Sequence, residues 1–425
     1  MTPTLPDSDG FAFRNGQLHS EDLPLASLAE RFGTPLYVYS RSAIERAFDR
    51  YAVALRGRAA LVCYAMKANS NLAVIDVLAR RGAGFDIVSG GELERVLAAG
   101  GDPRKTVFSG VGKGEAEIER ALAAGILCFN IESAPELERI DAVARRLGTR
   151  ARISVRVNPD VDAGTHPYIS TGLKNNKFGV AYADTLPLYR DAAKRAGIEI
   201  VGIDCHIGSQ ITDIDPYIDA ADRVLDVVDA LARDGISLHH IDFGGGLGIR
   251  YDDEVPPATE GLVQVLLSHV DRRGHGAKTV MFEPGRSIVG NAGVLLTRIE
   301  YLKHGETKNF AIVDAAMNDL VRPTMYDAWM GVVPVAPRED APAVAYDVVG
   351  PVCESGDWLA RDRLLAVHAG DLLAVTSAGA YGMTMSSNYN TRGRAAEVMV
   401  DGGRAFLVRA RERPAQLFAG ESRLP

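Results

Sequence analysis

Between residues 60 and 290 the apolar positions fall into a repeating unit. A short run rich in β-branched and aromatic residues gives way to a polar or glycine turn. An Ala/Leu/Arg-rich stretch with helical spacing follows. The strand candidates are LVCYAMK (61–67), GFDIVS (84–89), TVFSG (106–110), CFNIES (128–133), ISVRVN (153–158), GIDCHIG (202–208), HIDFGGG (240–246) and TVMFEPG (279–285). The segments between them carry helix-end signals. Ser89 has Glu92 three residues on, which is capping-box spacing, and Gly100 closes that stretch. ESAPELERIDAVARRLG ends at Gly148 with basic residues in its last turn, where they complement the helix dipole. Eight β-then-α units in roughly 230 residues predict a closed parallel (β/α)8 barrel better than an open doubly wound sheet.

After residue 290 the texture changes. VLLTRIEYL, NFAIVDA, VAYDVVG, DLLAVTSAG, AAEVMVDG and AFLVRARE are short strand-like runs separated by Gly, Asp and Asn turns. They predict an antiparallel β domain, sandwich or barrel-like. GFAFRNGQL, near the N-terminus, reads as a hairpin strand that could join it, and PLYVYS (35–40) as the lead into the barrel. The expected division is a barrel over 36–291 and a β domain from 1–35 plus 292–425.

Composition narrows the function classes. With 47% hydrophobic and 24% charged residues among 425, the chain has ample core for two domains. The balance of Lys+Arg 47 against Asp+Glu 55, without a sustained basic run, argues against a nucleic-acid partner. No apolar run reaches about 18 residues, so no membrane span is expected. MTPTLPDSDGFAF lacks the basic and apolar regions of a secretory signal. Cys63, Cys128, Cys205 and Cys353 are far apart, with no Cys/His spacing for a metal and no disulfide framework. A cytoplasmic protein without a metal site is the expectation.

The polar residues that stand out fall at strand ends, where barrels of this kind do their chemistry. Lys67 ends an apolar run, followed by Asn69 and Asn71. It is either a lysine that snorkels to water or a reactive amine. Gly244–Gly246 and Gly248 follow a strand and form either a tight turn or a phosphate cradle; the pattern is neither a Walker loop nor a dinucleotide fingerprint. Glu283, in EPGR, either pairs with Arg286 or holds a proton on a ligand nitrogen. His206 and Ser209, in DCHIGSQ, offer an imidazole and a hydroxyl. Cys353, in GPVCESGD, is a buried structural thiol or a reactive one in an acidic loop. An amine nucleophile, a phosphate site, a carboxylate for a ring nitrogen and an imidazole are together the equipment for pyridoxal phosphate.

YAMKANSN, HIGSQ, GGGLG, EPGR, MNDLVRPTMY, CESGD and GAYGMTMSSNYN, in this order over nearly the whole chain, resemble the fold-type III pyridoxal-phosphate decarboxylases, and more narrowly the diaminopimelate decarboxylase family. The resemblance implies an alanine racemase-like fold, pyridoxal 5'-phosphate as cofactor, and a homodimer with shared active sites. It implies that Lys67 links to the cofactor, that His206 stacks on its ring and that Glu283 meets its pyridine nitrogen. Ser209, Gly245, Gly246, Gly285, Arg286 and Tyr381 match phosphate and active-site positions, and Asp86 and Arg156 match barrel residues close to the cofactor. Cys353 matches a proton donor supplied by the partner subunit. Glu354, Arg322 and Tyr326 match groups that hold the distal end of the substrate, with Arg286 and Tyr381 nearby. The STG of residues 170–172, within HPYISTGLKNNKFG, matches a loop that helps select substrate. Ala316 departs from the glycine many relatives carry.

Chemistry supports the reaction class. A carboxylate on the pyridine nitrogen favours its proton and so strengthens the electron sink, which suits decarboxylation over racemisation. Diaminopimelate carries both a distal carboxylate and a distal ammonium. Arg286 and Arg322 suit the first and Glu354 the second. The implied reaction is loss of CO2 from the D-centre of meso-2,6-diaminopimelate, giving L-lysine as the last step of lysine biosynthesis. The alternatives are a decarboxylase of a different amine substrate and a non-catalytic cofactor-binding protein.

Overall fold

The computed structural model describes residues 5, 10–162, 164, 171–172 and 176–425. The chain divides into two compact units. One comprises Ala47–Ile249 and Val255–Ser287; the other comprises Met1–Arg46, Arg250–Glu254 and Ile288–Pro425.

The first unit is the barrel. Its strands are Ala60–Ala65, Gly84–Ile87, Thr106–Phe108, Cys128–Ile131, Ala151–Asn158, Ile198–Asp204, His240–Asp242 and Thr279–Phe282. Each pairs in parallel with the next, and the eighth pairs with the first, closing the ring. Inside, Cys63, Val107, Cys128, Val201 and Met281 form an apolar cluster. His240 takes the space a side chain at residue 202 would need: a Cβ there would lie 1.9 Å from its Nε2. Ser89 caps Gly90–Ala98 as its spacing predicts, its hydroxyl accepting the Glu92 N–H at 3.2 Å.

Most strands stop a few residues short of the apolar pattern, and the remainder forms turns. Lys67 is therefore not the last strand residue. It lies in the 3-10 turn Met66–Ala68. Local hydrogen bonds draw the chain out of the ladder there. The Tyr64 hydroxyl donates to the Asn69 carbonyl at 2.9 Å, and Asn69 Oδ1 accepts the Asn71 N–H at 3.1 Å. Asn71 in turn caps the helix Leu72–Arg80, accepting the Ala73 N–H at 2.9 Å. The two asparagines shape the turn that presents Lys67.

The second unit is built on a sheet ordered Trp358–Ala366, Ala343–Val349, Asn309–Val313, Gly293–His304, Leu36–Ser40, Ala396–Asp401, Arg404–Arg409. Leu36–Ser40, expected to lead into the barrel, is an interior strand of this sheet, and its five residues are all buried. An all-buried strand reads the same in either setting, which is why the pattern misplaced it. The sheet is also mixed rather than purely antiparallel. Asn309–Val313 runs parallel to Ala343–Val349, and Leu36–Ser40 parallel to Ala396–Asp401. The N-terminal hairpin forms as expected: Phe11–Arg14 pairs with Gln17–Ser20. Asn15 and Gly16, both at positive φ, make the turn whose twist suits a two-residue hairpin. Phe11, Leu18, Leu36, Val38, Leu296 and Val398 share one core.

Candidate active site

The C-terminal ends of the barrel strands gather the predicted groups. Lys67 Nζ donates to Asp86 Oδ2 at 2.6 Å; the lysine side chain is 37% exposed and the aspartate fully buried. The amine thus reaches the surface of the barrel mouth while its partner is held within. Glu283, from the turn after the eighth strand, is buried and accepts at Oε1 from Asn130 Nδ2 at 3.2 Å. Asn130 also donates to Ser109 Oγ at 3.1 Å. Arg286 Nη2 donates to Ser209 Oγ at 3.0 Å. That pair joins the turns after the sixth and eighth strands.

Arg156, at the end of the fifth strand, donates to Glu132 Oε1 at 3.3 Å and to the His206 carbonyl at 3.4 Å. Its guanidinium lies over the Phe178 ring, 5.2 Å from the centroid. Glu132 also accepts the Gly110 N–H at 2.9 Å and the Gly179 N–H at 2.8 Å, so one buried carboxylate ties three turns together. Burial opposes the Arg156 charge, but Glu132, Asp204 and Glu283 outweigh it and hold the guanidinium above its usual range. His206 Nδ1 accepts the Gly245 N–H at 3.2 Å. Burial, reinforced by Arg156 and Lys67, holds the imidazole well below its ordinary pKa. It is neutral, and the Gly245 bond places its proton on Nε2.

The barrel mouth is rich in buried acid. Asp86, Asp204, Asp242 and Glu283 are all buried. Burial and mutual repulsion push Glu283 and Asp242 well above the usual carboxylate range and Asp204 to about 7. Asp86 Oδ1, Asp204 Oδ1 and Asp242 Oδ2 have no hydrogen-bond partner among the described residues.

Pyridoxal phosphate fits these residues. Buried acceptors without donors suit a group that brings a ring N–H. The Ser209–Arg286 pair suits a phosphate. Beside it a Cβ at Gly245 would fall 2.1 Å from the Glu283 carbonyl, and Gly246, at φ +103°, would put one 2.4 Å from the Gly208 carbonyl. Only bare backbone fits this turn, as an anion cradle requires. Gly285 has a different job. It packs against the alanines that flank Lys67, a Cβ there falling 3.0 Å from that of Ala68.

The remaining predicted residues lie in the second unit. Arg322 begins the helix Arg322–Tyr326; it is buried and donates to the Tyr251 hydroxyl at 2.5 Å. Tyr326 ends that helix. Cys353 and Glu354 are exposed, on a loop held from three sides. Thr324 Oγ1 donates to the Gly356 carbonyl at 2.7 Å. Asp357, buried, accepts the Val352 and Met317 N–H groups at 2.7 and 2.6 Å. Asn390 Oδ1 accepts the Cys353 N–H at 3.1 Å, and the Tyr389 hydroxyl bonds the Glu354 carboxylate. Cys353 is thus an exposed thiol on a rigid loop, and the buried-structural reading is set aside. Tyr381 holds the left-handed conformation at φ +55°, uncommon outside glycine and concentrated at functional sites. Of the STG segment, Ser170 lies outside the described residues, as do the neighbouring 165–169 and 173–175. Thr171 donates to the His206 carbonyl at 2.8 Å.

Residues 41–290 match the family model described as pyridoxal-dependent decarboxylase, pyridoxal binding domain. The chain is 62% identical to diaminopimelate decarboxylase of Pseudomonas fluorescens, over 98% of this chain and 100% of that one. It is 57% identical to that of Vibrio cholerae, over 97% and 98%. The chain belongs to the diaminopimelate decarboxylase family. Among solved structures, the family member from M. jannaschii in complex with L-lysine superposes with a TM-score of 0.93 at 37% identity, covering 98% of each chain. The Helicobacter pylori member, also with L-lysine, gives 0.89 at 43%, covering 93% of this chain and 99% of that one. The two-part architecture and the pyridoxal-dependent decarboxylase chemistry read from the motifs are those of this family.

Sequence reasoning passed over Asn130, Glu132, Asp204, Asp242, Tyr389 and Asn390. The strand pattern held a usable signal for two of them. Asp204 and Asp242 interrupt otherwise apolar strands, and a carboxylate there must find a partner or a proton.

Proposed function

We propose that the chain decarboxylates meso-2,6-diaminopimelate at its D-centre, releasing CO2 and L-lysine, with pyridoxal phosphate bound at the barrel mouth through Lys67. The observation that carries this is the grouping of Lys67–Asp86, buried Glu283 and the Ser209–Arg286 pair on the C-terminal ends of one barrel's strands. When bound, pyridoxal phosphate supplies the electron sink for the pair left behind as CO2 departs.

The protein's residues divide the remaining work. Glu283 holds a proton on the ring nitrogen. Asp86 positions the Lys67 amine and stabilises its charge when free. Arg286, Ser209 and the backbone of Gly245–Gly246 hold the phosphate, with Tyr381. Neutral His206 offers the ring an uncharged surface, and Arg156 adds positive charge near it. Arg322 takes the distal carboxylate and Glu354 the distal ammonium, with Tyr326 beside them; Arg286 also reaches substrate. Cys353 protonates the carbon that lost its carboxylate.

Cys353 and Glu354 are exposed on a braced loop, which suits delivery to the barrel of a second copy. The enzyme is accordingly a homodimer with shared sites. All four cysteines are free thiols, in keeping with a cytoplasmic location. No helix among the described residues is long and apolar enough to cross a membrane.

The test is purified holoenzyme with meso-diaminopimelate, L-ornithine and L-lysine in parallel. Equimolar CO2 and L-lysine from the first substrate alone are expected. Cofactor-loaded protein that releases no CO2 from it, or prefers a substrate without the distal carboxylate, overturns the reading.

A further inference from the structure

Asp204 and Asp242 have no part in the steps above, yet they stand beside the carboxylate on which those steps depend. Asp204 is in register with both Arg156 and Asp242 across three neighbouring strands. Closure of the barrel then brings Glu283 to the same place. One carboxylate oxygen from each of Asp204, Asp242 and Glu283 lies within 4.8 Å of the others. Asp86 makes a fourth buried acid. Two cations face them, Lys67 and Arg156, and Arg156 is already paired with Glu132. Three buried negative charges at this spacing, with Asp86 nearby, repel too strongly to coexist, so part of the cluster is protonated. Glu132 adds to the repulsion on Asp204, and Glu92 stands near Lys67 and Asp86; burial pushes the Cys63 and Cys128 thiols up and keeps the His206 imidazole neutral.

The geometry locates a proton. Asp242 Oδ1 is committed to the Gly244 N–H at 2.8 Å. The Gly244 carbonyl accepts the Glu283 N–H at 2.6 Å, so one turn fixes both side chains. Asp242 Oδ2 is buried, and no described donor faces it. The Asp242 and Glu283 carboxyl groups are nevertheless within hydrogen-bonding reach of each other. Two ionised carboxylates only accept, so that contact becomes a hydrogen bond when one of them carries a proton. Glu283 must be the ionised partner if it is to hold a ring N–H.

We infer that Asp242 is a positioning residue that keeps a proton on Oδ2 and donates it to Glu283, so that Glu283 remains the ionised carboxylate. This rests on the role proposed for Glu283. Burial, followed by the charge of Asp204, pushes the Asp242 carboxyl upward, and outweighs the Gly244 N–H and the Glu283 contact, which pull it down. A neutral carboxyl group donating a hydrogen bond inside an apolar site is physically well founded.

The experiment is infrared spectroscopy of the holoenzyme in H2O and D2O at about pH 9, where Asp204 is ionised, together with steady-state kinetics, on the native protein, Asp242→Asn, Asp242→Leu and Glu283→Gln. The native protein should show the deuterium-sensitive carbonyl stretch of an un-ionised carboxylic acid, lost in Asp242→Asn. Asp242→Leu removes the donor, and kcat should fall about ten- to a hundredfold with KM little changed. Asp242→Asn, which keeps an N–H donor, should lose less. The inference is overturned if the band survives Asp242→Asn, or if Asn costs as much as Leu. Should Asp242→Leu not fold, the infrared comparison of native protein with Asp242→Asn decides. Full activity in Glu283→Gln overturns the Glu283 reading and this inference with it. An inactive Glu283→Gln with a band untouched by Asp242→Asn overturns the Asp242 inference alone.

Discussion

Glu132 was invisible as a site residue in the sequence, and the structure makes it the most connected acid of the barrel mouth. Its Oε1 accepts from Gly110 N at 2.9 Å and from Arg156 Nη1 at 3.3 Å, and its Oε2 accepts from Gly179 N at 2.8 Å. The perturbation that isolates this role is Glu132→Gln, which keeps the volume. A glutamine offers one acceptor oxygen. Whichever way its amide turns, at least one of the three donors faces an NH2 group, and leaving a buried donor unpaired costs about 1–3 kcal/mol. The charge opposite buried Arg156 also disappears. Removing a partner from a buried ion pair costs about 3–5 kcal/mol in full, and the amide recovers part of it. The net expectation is a loss of about 2–4 kcal/mol, or roughly 5–15 °C in the unfolding midpoint of a unit this size. Differential scanning fluorimetry of the cofactor-loaded protein reads the midpoint directly. Cofactor affinity should weaken in parallel, because Arg156 loses the group that aims it. Glu132→Asp should restore part of the affinity and none of the volume. A midpoint within about 2 °C of the parent, with cofactor affinity unchanged, would refute the reasoning.

Three further outcomes follow from named contacts. Arg322→Ala should lower kcat/KM on meso-diaminopimelate about a hundredfold or more, since the distal carboxylate loses its charge-assisted partner, while the cofactor's absorbance is unchanged; an unaltered specificity constant contradicts the assignment. Asn390→Ala should lower kcat by about tenfold at constant KM for the aldehyde cofactor, because the Cys353 backbone loses its anchor; equal activity would show that the loop is held well enough by Asp357 and Thr324. Asp204 titrates near 7 in the folded chain against about 3.9 unfolded. A raised acid contributes stability below its unfolded pKa and loses it as pH rises through the folded value. Urea midpoints of Asp204→Asn should therefore gain on the parent between about pH 4 and about pH 7; a pH-independent difference rejects the shift.

The barrel was largely legible because its evidence is local. Eight β-branched runs, each followed by a helical period, announce the parallel ring, and the polar residues at the C-terminal ends of four runs, Lys67, Arg156, His206 and Glu283, are ones for which we propose chemical roles. Resemblance then supplied roles that spacing alone left open, as at Lys67 and Gly244–Gly246. What escaped depends on which strands become neighbours. Asp204 and Asp242 are harmless interruptions until register places them side by side. Glu132 matters only once Arg156 and the turns at Gly110 and Gly179 converge on it. The apolar pattern does not tell which unit Leu36–Ser40 joins, because a fully buried strand looks alike in a barrel and in the middle of a mixed sheet. Tyr389 and Asn390 stand in the motif GAYGMTMSSNYN without a role of their own there, because their hold on Cys353 and Glu354 joins residues far apart in the chain.

Lys67 is the residue on which the whole account turns, and its link to the cofactor can be mapped. Holoenzyme is reduced with borohydride, digested and sequenced by mass spectrometry, beside Lys67→Ala treated identically. The account predicts one cofactor per chain, carried on Lys67 within the peptide that contains YAMKANSN, with loss of the visible absorbance band on reduction and no adduct in Lys67→Ala. An adduct on another lysine, or a cofactor that washes away from reduced native protein, would contradict it.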